Sequence, residues 1–149
     1  IGAALTWSLG SALYTRRSHI PVARSAATGF ALILFGIFAI APVLSPNWPL
    51  LATFFSWCFG GLGMGILFVP TSVAATAYAD DGNEGQIGSQ INLADSLGFA
   101  LMGGIGGATV AISDRTDWPL SHALGTNFLI AAILAALGIV ASRGVAQRT

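Results

Sequence analysis

The sequence predicts an all-α transmembrane helical bundle with about five spanning helices. Hydrophobic residues make up 54% of the 149-residue chain and charged residues only 8%, whereas soluble domains carry about 25% charged residues. From Ser25 to Ala79 the chain contains no Asp, Glu, Lys or Arg. That run is long enough for two bilayer crossings, since each needs about 20 residues at helical rise. The composition therefore predicts an integral, multi-pass membrane protein.

Five apolar segments are bounded by polar residues or prolines, and each is predicted to be a helix. Segments of this length satisfy their backbone amides internally as helices, whereas the strands of a membrane barrel would be about half as long and would alternate. The first segment is short for a crossing and lacks the charged leader of a signal peptide, so we expect the chain to be truncated upstream. The predicted spans are residues 1–15, 26–44, 50–77, 87–112 and 120–141.

The arginines predict the orientation of the bundle. Five of the six fall in the first connection or in the C-terminal tail, which the alternation of five spans places on the same side. Only Arg115 falls in a connection on the other side. Because cytoplasmic loops are enriched in basic residues, the first connection and the carboxy terminus are expected to be cytoplasmic. The five arginines on that side are Arg16, Arg17, Arg24, Arg143 and Arg148.

Glycines in the third and fourth segments predict where helices touch, because small residues at four-residue spacing let two backbones approach closely. Tight static packing and flexing during a conformational cycle both fit the pattern. Pro70 lies inside the third segment and is expected to kink or unwind it. The predicted contact glycines are Gly61, Gly65, Gly98, Gly103 and Gly107.

The fourth segment carries the one charge that lies well inside a predicted span. Asp95 follows Ile87 by eight residues, or about 12 Å at helical rise, which is deeper than its short side chain can usually reach to water. Asn92 shares its face, and Ser89 and Ser96 flank it. We expect these four polar residues to face protein or a watery cavity as transport or gate residues. Three roles stay open for Asp95: a helix-to-helix hydrogen bond that only sets packing, a gate or ion pair, and proton carriage.

No catalytic, metal or nucleic-acid site is predicted. His19 and His122 are expected on opposite sides of the bilayer, Cys58 is the single cysteine, and the chain has no lysine. The zinc pattern His-Glu-x-x-His and the phosphate-loop pattern are both missing from the sequence. A formal net charge of zero argues against a polybasic nucleic-acid surface. We therefore expect no enzymatic activity, no cofactor and no bound metal.

Three passages resemble the carboxy-terminal part of a major facilitator superfamily transporter, closest to bacterial drug-efflux-like members. In one of them a glycine run leads to Pro70, and in another the chain passes from Gly85 through Asn92 and Asp95 to Gly107. The chain also partly matches a loop motif of the family, but Tyr14 occupies the position at which that motif has an acidic residue. The three passages are residues 61–70, 85–107 and 122–143, and the partial match to the loop motif covers residues 10–21.

The resemblance implies that the five segments are the last five spans of a carboxy-terminal six-helix bundle. The first span of that bundle and the whole amino-terminal bundle would then be missing from this chain. It also implies secondary transport of a small molecule by alternating access in the bacterial inner membrane, with protons as a candidate coupling ion. The residues leave a second interpretation open, a non-transporting membrane subunit or anchor in which Asp95 only fastens helices. An enzyme is a third and weaker interpretation.

Overall fold

The fold of the chain is helical throughout the part that the structure describes. A computed structural model describes residues 1–16, 19–45, 47–77, 79 and 82–145, so Arg17 and Arg148 lie outside the described residues. No strand occurs within that range, which confirms the all-helical prediction. The helices are α1 (Gly2–Arg16), α2 (Val22–Ile40) with a 3-10 turn at Ala41–Leu44, α3 (Leu50–Ala77), α4 (Glu84–Arg115) and α5 (Leu120–Val145).

Four of the helices are long and apolar enough to cross a membrane: α2 with its 3-10 turn, α3, α4 and α5. Helix α1 has 15 residues, or about 22 Å at helical rise, which is shorter than a hydrocarbon core of about 30 Å. Many large apolar side chains are exposed, for example Leu50 at 84% and Phe99 at 78%. Such a surface is compatible with a multi-pass membrane protein, in which lipid rather than water surrounds the helices.

The chain divides into two compact units, and each division falls inside a helix. Unit 1 comprises Ile1–Thr71 and Ile130–Thr149, and therefore contains α1, α2, most of α3 and the second part of α5. Unit 2 is Ser72–Leu129, which contains the end of α3, all of α4 and the first part of α5.

In unit 1, α3 packs directly against the backbone of α1. A Cβ atom added to Gly61 would overlap the carbonyl oxygen of Ala3, and one added to Gly65 would overlap the carbonyl oxygen of Trp7. Residue numbers rise together along the two helices, so α1 and α3 run parallel. The Trp7 and Phe68 rings extend the contact, with centroids 5.9 Å apart. These glycines are needed because no side chain fits between the two backbones.

Helix α2 packs against α3 through a second set of glycines. A Cβ on Gly63 would lie 2.6 Å from the carbonyl oxygen of Gly29, and a Cβ on Gly36 would lie 3.1 Å from that of Ser56. Residue numbers run in opposite directions here, so α2 and α3 are antiparallel. Helix α3 is thus in close backbone contact with two helices at once, which favours static packing as the role of its glycines.

Pro70 does not interrupt α3, although unwinding was one expected outcome. The helix continues through it to Ala77, and Pro70 is among the fully buried side chains. Its ring removes the amide that would bond the carbonyl four residues earlier. The Thr71 hydroxyl donates to the carbonyls of Leu67 at 2.8 Å and Phe68 at 3.0 Å, so the turn next to the proline gains side-chain hydrogen bonds.

Candidate functional site

In unit 2, hydrogen bonds tie α4 to the first part of α5. The Asn127 side-chain amide donates to the Thr109 hydroxyl at 2.8 Å. That hydroxyl in turn donates to the Gly106 carbonyl at 2.9 Å. Nearer the connection, the Ser113 hydroxyl donates to the Trp118 carbonyl at 2.8 Å. The two helices are therefore antiparallel, and they are fastened at the end of α4 that lies away from Asp95.

Asn127 is a polar contact that the sequence reasoning missed. Its signal was present, because it is the single Asn in the apolar segment from Leu120 to Ala141. Polar side chains of this kind commonly bond between helices inside membranes. The Asn127 carbonyl oxygen is buried and has no hydrogen-bond partner among the described residues.

The predicted polar stripe lies on an exposed part of α4. We use the name "polar stripe" for Asn92, Asp95 and Ser96. Every residue from Asn92 to Leu101 is exposed, and none of the three stripe side chains forms a hydrogen bond with another described residue. Since side chains point to all sides of a helix over ten residues, this part of α4 is not covered by the described chain on any side.

Asp95 has no cation close to it in unit 2. Arg115 is the one arginine of that unit, and the chain has no lysine. It lies twenty residues further along the same helix, or about 30 Å at helical rise. An ion pair needs a nitrogen-to-oxygen distance of about 4 Å or less, so Arg115 is too far away to pair with Asp95. The structure therefore offers Asp95 no ion-pair partner within its own unit.

Ser89 lies in the same half of α4 as the polar stripe but is already bonded. Its hydroxyl donates to the Gly85 carbonyl at 2.8 Å, which is the common local arrangement of serine in a helix. The hydroxyl proton of Ser89 is therefore already used in a hydrogen bond. The amide of Asn92 and the carboxylate of Asp95 have no hydrogen-bond partner among the described residues. The chemistry available at the stripe is hydrogen bonding, binding of a cation and uptake of a proton by Asp95.

The predicted contact glycines fall into two groups in the structure. Gly61 and Gly65 lie in the close contact between α3 and α1. Gly98, Gly103 and Gly107 have no described atom within 4 Å of an added Cβ, so the helix contact expected at these three stays a prediction. The reason is that a small-residue pattern shows that a backbone can be approached, but not by which helix.

Two of the three arginines predicted to lie in the first connection are described by the structure, and both belong to helices. Arg16 is the last residue of α1 and is exposed. Arg24 lies in the first turn of α2 and is also exposed, so the connection between α1 and α2 is shorter than predicted. Helices continue past the end of their apolar stretch because the backbone hydrogen bonds do not depend on the polarity of the side chain.

The chain was compared with known families, proteins and structures. No protein-family model, curated protein or solved structure matches it significantly. The likeness to major facilitator transporters therefore rests on the residues quoted above. Within the described residues, no group of three or more His, Cys, Asp or Glu side chains is arranged to hold a metal ion.

Proposed function

We propose that this chain is part of the carboxy-terminal helical bundle of a secondary transporter of the major facilitator type. Such carriers move a small molecule across a membrane by rocking two bundles about a midplane site. The observation that carries the proposal is the polar stripe. It lies on an exposed face of a 32-residue helix that is otherwise apolar enough to span a membrane.

Asp95 cannot face hydrocarbon without a large penalty. A carboxylate at the centre of a spanning helix costs about 3 kcal/mol on insertion scales. Since no described residue covers Asn92 or Asp95, either a second helical bundle or a water-filled path must do so. The interface between the two bundles of a secondary transporter supplies both.

Asp95 is not needed to hold the helices of this chain together. The bond between Asn127 and Thr109 already joins α4 to α5, and Asp95 contributes to no hydrogen bond among the described residues. Its carboxylate is consequently available to bind a substrate, to pair with a cation from a second bundle, or to carry a proton. We propose Asn92 and Asp95 as the polar interface or inner gate.

The packing of unit 1 also supports a rocking mechanism. Alternating access moves bundles largely as rigid bodies, and α3 is held by backbone contacts on both sides, at Gly65 toward α1 and at Gly63 toward α2. Contacts between backbones leave little freedom for repacking, because no side-chain rotamer can absorb a shift. Unit 1 is therefore suited to move as one body.

The remaining features of the proposal come from charge and resemblance. The arginines favour a cytoplasmic position for the end of α1, the start of α2 and the carboxy terminus. The likeness to drug-efflux-like carriers favours the bacterial inner membrane, export of a small organic molecule, and protons as the coupling ion. The amino-terminal bundle of the same protein is the proposed partner of the polar stripe.

A non-transporting membrane subunit is the second candidate. The exposure of residues 92–101 also fits a helix of another subunit lying along α4, with Asp95 as a fastening group. The two candidates differ in one measurable property, because only the first moves a solute.

Transport is tested with ethidium as the probe. Bacterial cells expressing the full-length protein are loaded with ethidium and energised, and the fall of fluorescence is followed. We expect faster loss than in cells carrying the empty vector, and we expect a protonophore to abolish the difference. A protein that is abundant in the membrane but gives the same loss as the empty vector, with both ethidium and Hoechst 33342, contradicts drug efflux and favours the subunit.

A further inference from the structure

The charges of this chain are segregated between its two units. Unit 1 contains five of the six arginines and no acidic side chain, and unit 2 contains all six acidic residues and one arginine. The arginines of unit 1 therefore have no carboxylate side chain within their own unit to pair with. Among the described residues, Arg16, Arg24 and Arg143 are exposed, so water or an anion can reach their guanidinium groups.

Two of these arginines lie at the same end of unit 1. Gly10 and Gly29 both pack against α3 between Leu62 and Leu67. Arg16 follows Gly10 by six residues along α1, which runs parallel to α3. Arg24 precedes Gly29 by five residues along α2, which runs antiparallel. Gly10 and Gly29 thus lie at about the same height along α3. Measured toward the C-terminal end of α3, the Cα atom of Arg16 lies about 9 Å beyond Gly10, and that of Arg24 lies about 7.5 Å beyond Gly29.

The predicted alternation of the spans places Arg143 at the same end. A Cβ on Gly138 of α5 would touch the ring of Phe30 in α2. Phe30 follows Gly29 directly, so Gly138 lies at about the same height as Gly29. Arg143 follows Gly138 by five residues and is exposed. Alternating spans make α5 run parallel to α3, which carries Arg143 toward the end where Arg16 and Arg24 lie. We call these three residues the arginine rim.

An exposed apolar stripe on α1 leads up to the rim. Leu5, Leu9 and Leu13 recur every four residues and are 67%, 53% and 38% exposed. Arg16 follows Leu13 by three residues, so all four side chains share one side of the helix. This arrangement is complementary to a phospholipid: the cationic group can contact the anionic headgroup, and the apolar stripe can contact the acyl chain.

From this charge and apolar pattern we infer that the arginine rim binds anionic phospholipid, with the phosphate at the arginines and an acyl chain along Leu5, Leu9 and Leu13. All three rim residues are arginine, whose planar fork of donors matches phosphate oxygens bidentately. The inference does not depend on transport activity, because it rests on the charges, the directions of the helices and the exposed stripe.

Native mass spectrometry of the full-length protein in mild detergent tests the inference. The protein is titrated with dioleoylphosphatidylglycerol or, separately, dioleoylphosphatidylcholine. A basic residue beside an anionic lipid contributes about five-fold in affinity, so we expect a preference for the anionic lipid of about 25-fold or more. The double variant Arg16→Gln/Arg24→Gln should lose about 25-fold of it, and the single variant Arg16→Gln about five-fold.

The control variant is Arg115→Gln, which removes the one arginine of unit 2 and should leave the lipid preference unchanged. Binding of the zwitterionic lipid reports whether each variant is still folded, and it should not change. Raising the salt concentration should weaken retention of the anionic lipid by the unsubstituted protein. Equal retention of both lipids by the unsubstituted protein would overturn the inference, as would an unchanged preference in the double variant or an equal loss in Arg115→Gln.

Discussion

Replacing Asp95 by Asn in the full-length protein is expected to slow proton-driven ethidium efflux by about ten-fold or more, which corresponds to about 1.4 kcal/mol in the barrier. Asn has nearly the same shape and can still accept a hydrogen bond, but it cannot carry a proton or a negative charge. The Asp95 side chain forms no hydrogen bond with a described residue. A loss of transport would therefore report its charge rather than its packing. The measurement is the initial efflux rate across a series of external pH values.

Asp114 supplies the matched control for this substitution. It lies on α4 as Asp95 does and is also exposed, but it belongs to the last turn of the helix. Asp114→Asn should keep the efflux rate close to that of the unsubstituted protein, and Asp95→Glu should keep more activity than Asp95→Asn. An Asp95→Asn protein with unchanged rate and unchanged pH dependence would exclude a coupling role for Asp95.

Replacing Gly65 by Ala is expected to lower the free energy of unfolding of the full-length protein by about 3 kcal/mol, as overpacking of a close contact does. The new methyl group would overlap the Trp7 carbonyl oxygen and would lie 2.8 Å from the Ser11 amide nitrogen and 3.0 Å from the Gly10 Cα. All three atoms belong to the backbone of α1, so no rotamer change can relieve the overlap. Unfolding is measured by titration with dodecyl sulfate in mixed micelles, with tryptophan fluorescence as the signal.

Gly103→Ala is the control for Gly65→Ala, because both residues lie in the interior of apolar helices. An added Cβ at Gly103 meets no atom within 4 Å, and alanine is a better helix former by about 1 kcal/mol. Gly103→Ala should therefore unfold at the same or a slightly higher dodecyl sulfate concentration. If Gly65→Ala is as stable as Gly103→Ala, then α1 and α3 do not pack as described.

Helix positions could be predicted from apolar length and prolines, but helix ends could not in every case. The bounds of α3 coincide with the predicted segment 50–77, because proline is common at helix starts, Pro49 directly precedes Leu50, and the residues that follow are mostly apolar. The described α4 is Glu84–Arg115, three residues longer at each end than the predicted 87–112. Hydropathy marks the part that fits hydrocarbon, while backbone hydrogen bonding continues into polar residues such as Glu84 and Arg115.

The packing partners of polar and small residues were less predictable. The four-residue spacing at Gly61 and Gly65 indicated a close contact, but the same spacing at Gly103 and Gly107 looks identical in sequence and has no neighbour in the structure. The bond between Asn127 and Thr109 was missed because it depends on how two helices face each other. Burial of polar side chains is a property of the assembled helices, and a single helix pattern cannot contain it.

Cysteine accessibility along α4 tests most directly whether the polar stripe lines an aqueous path. Cys58 is the single cysteine of this chain, so Cys58→Ala gives a background without reactive thiols in this part of the full-length protein. Cysteines are then placed one at a time on the stripe, by Asn92→Cys and Ser96→Cys, and on the opposite side of the helix, by Ala94→Cys and Leu101→Cys. All four positions are exposed in the structure, so a difference in reactivity reports what surrounds α4 in the membrane.

The reagent is a membrane-impermeant methanethiosulfonate, which reacts with the thiolate that forms in contact with water. We predict modification about ten-fold or more faster at the two stripe positions than at the two opposite positions, because a thiol in hydrocarbon stays protonated. Equally slow modification at all four positions, in a protein that is present in the membrane, would contradict an aqueous path along Asn92 and Asp95.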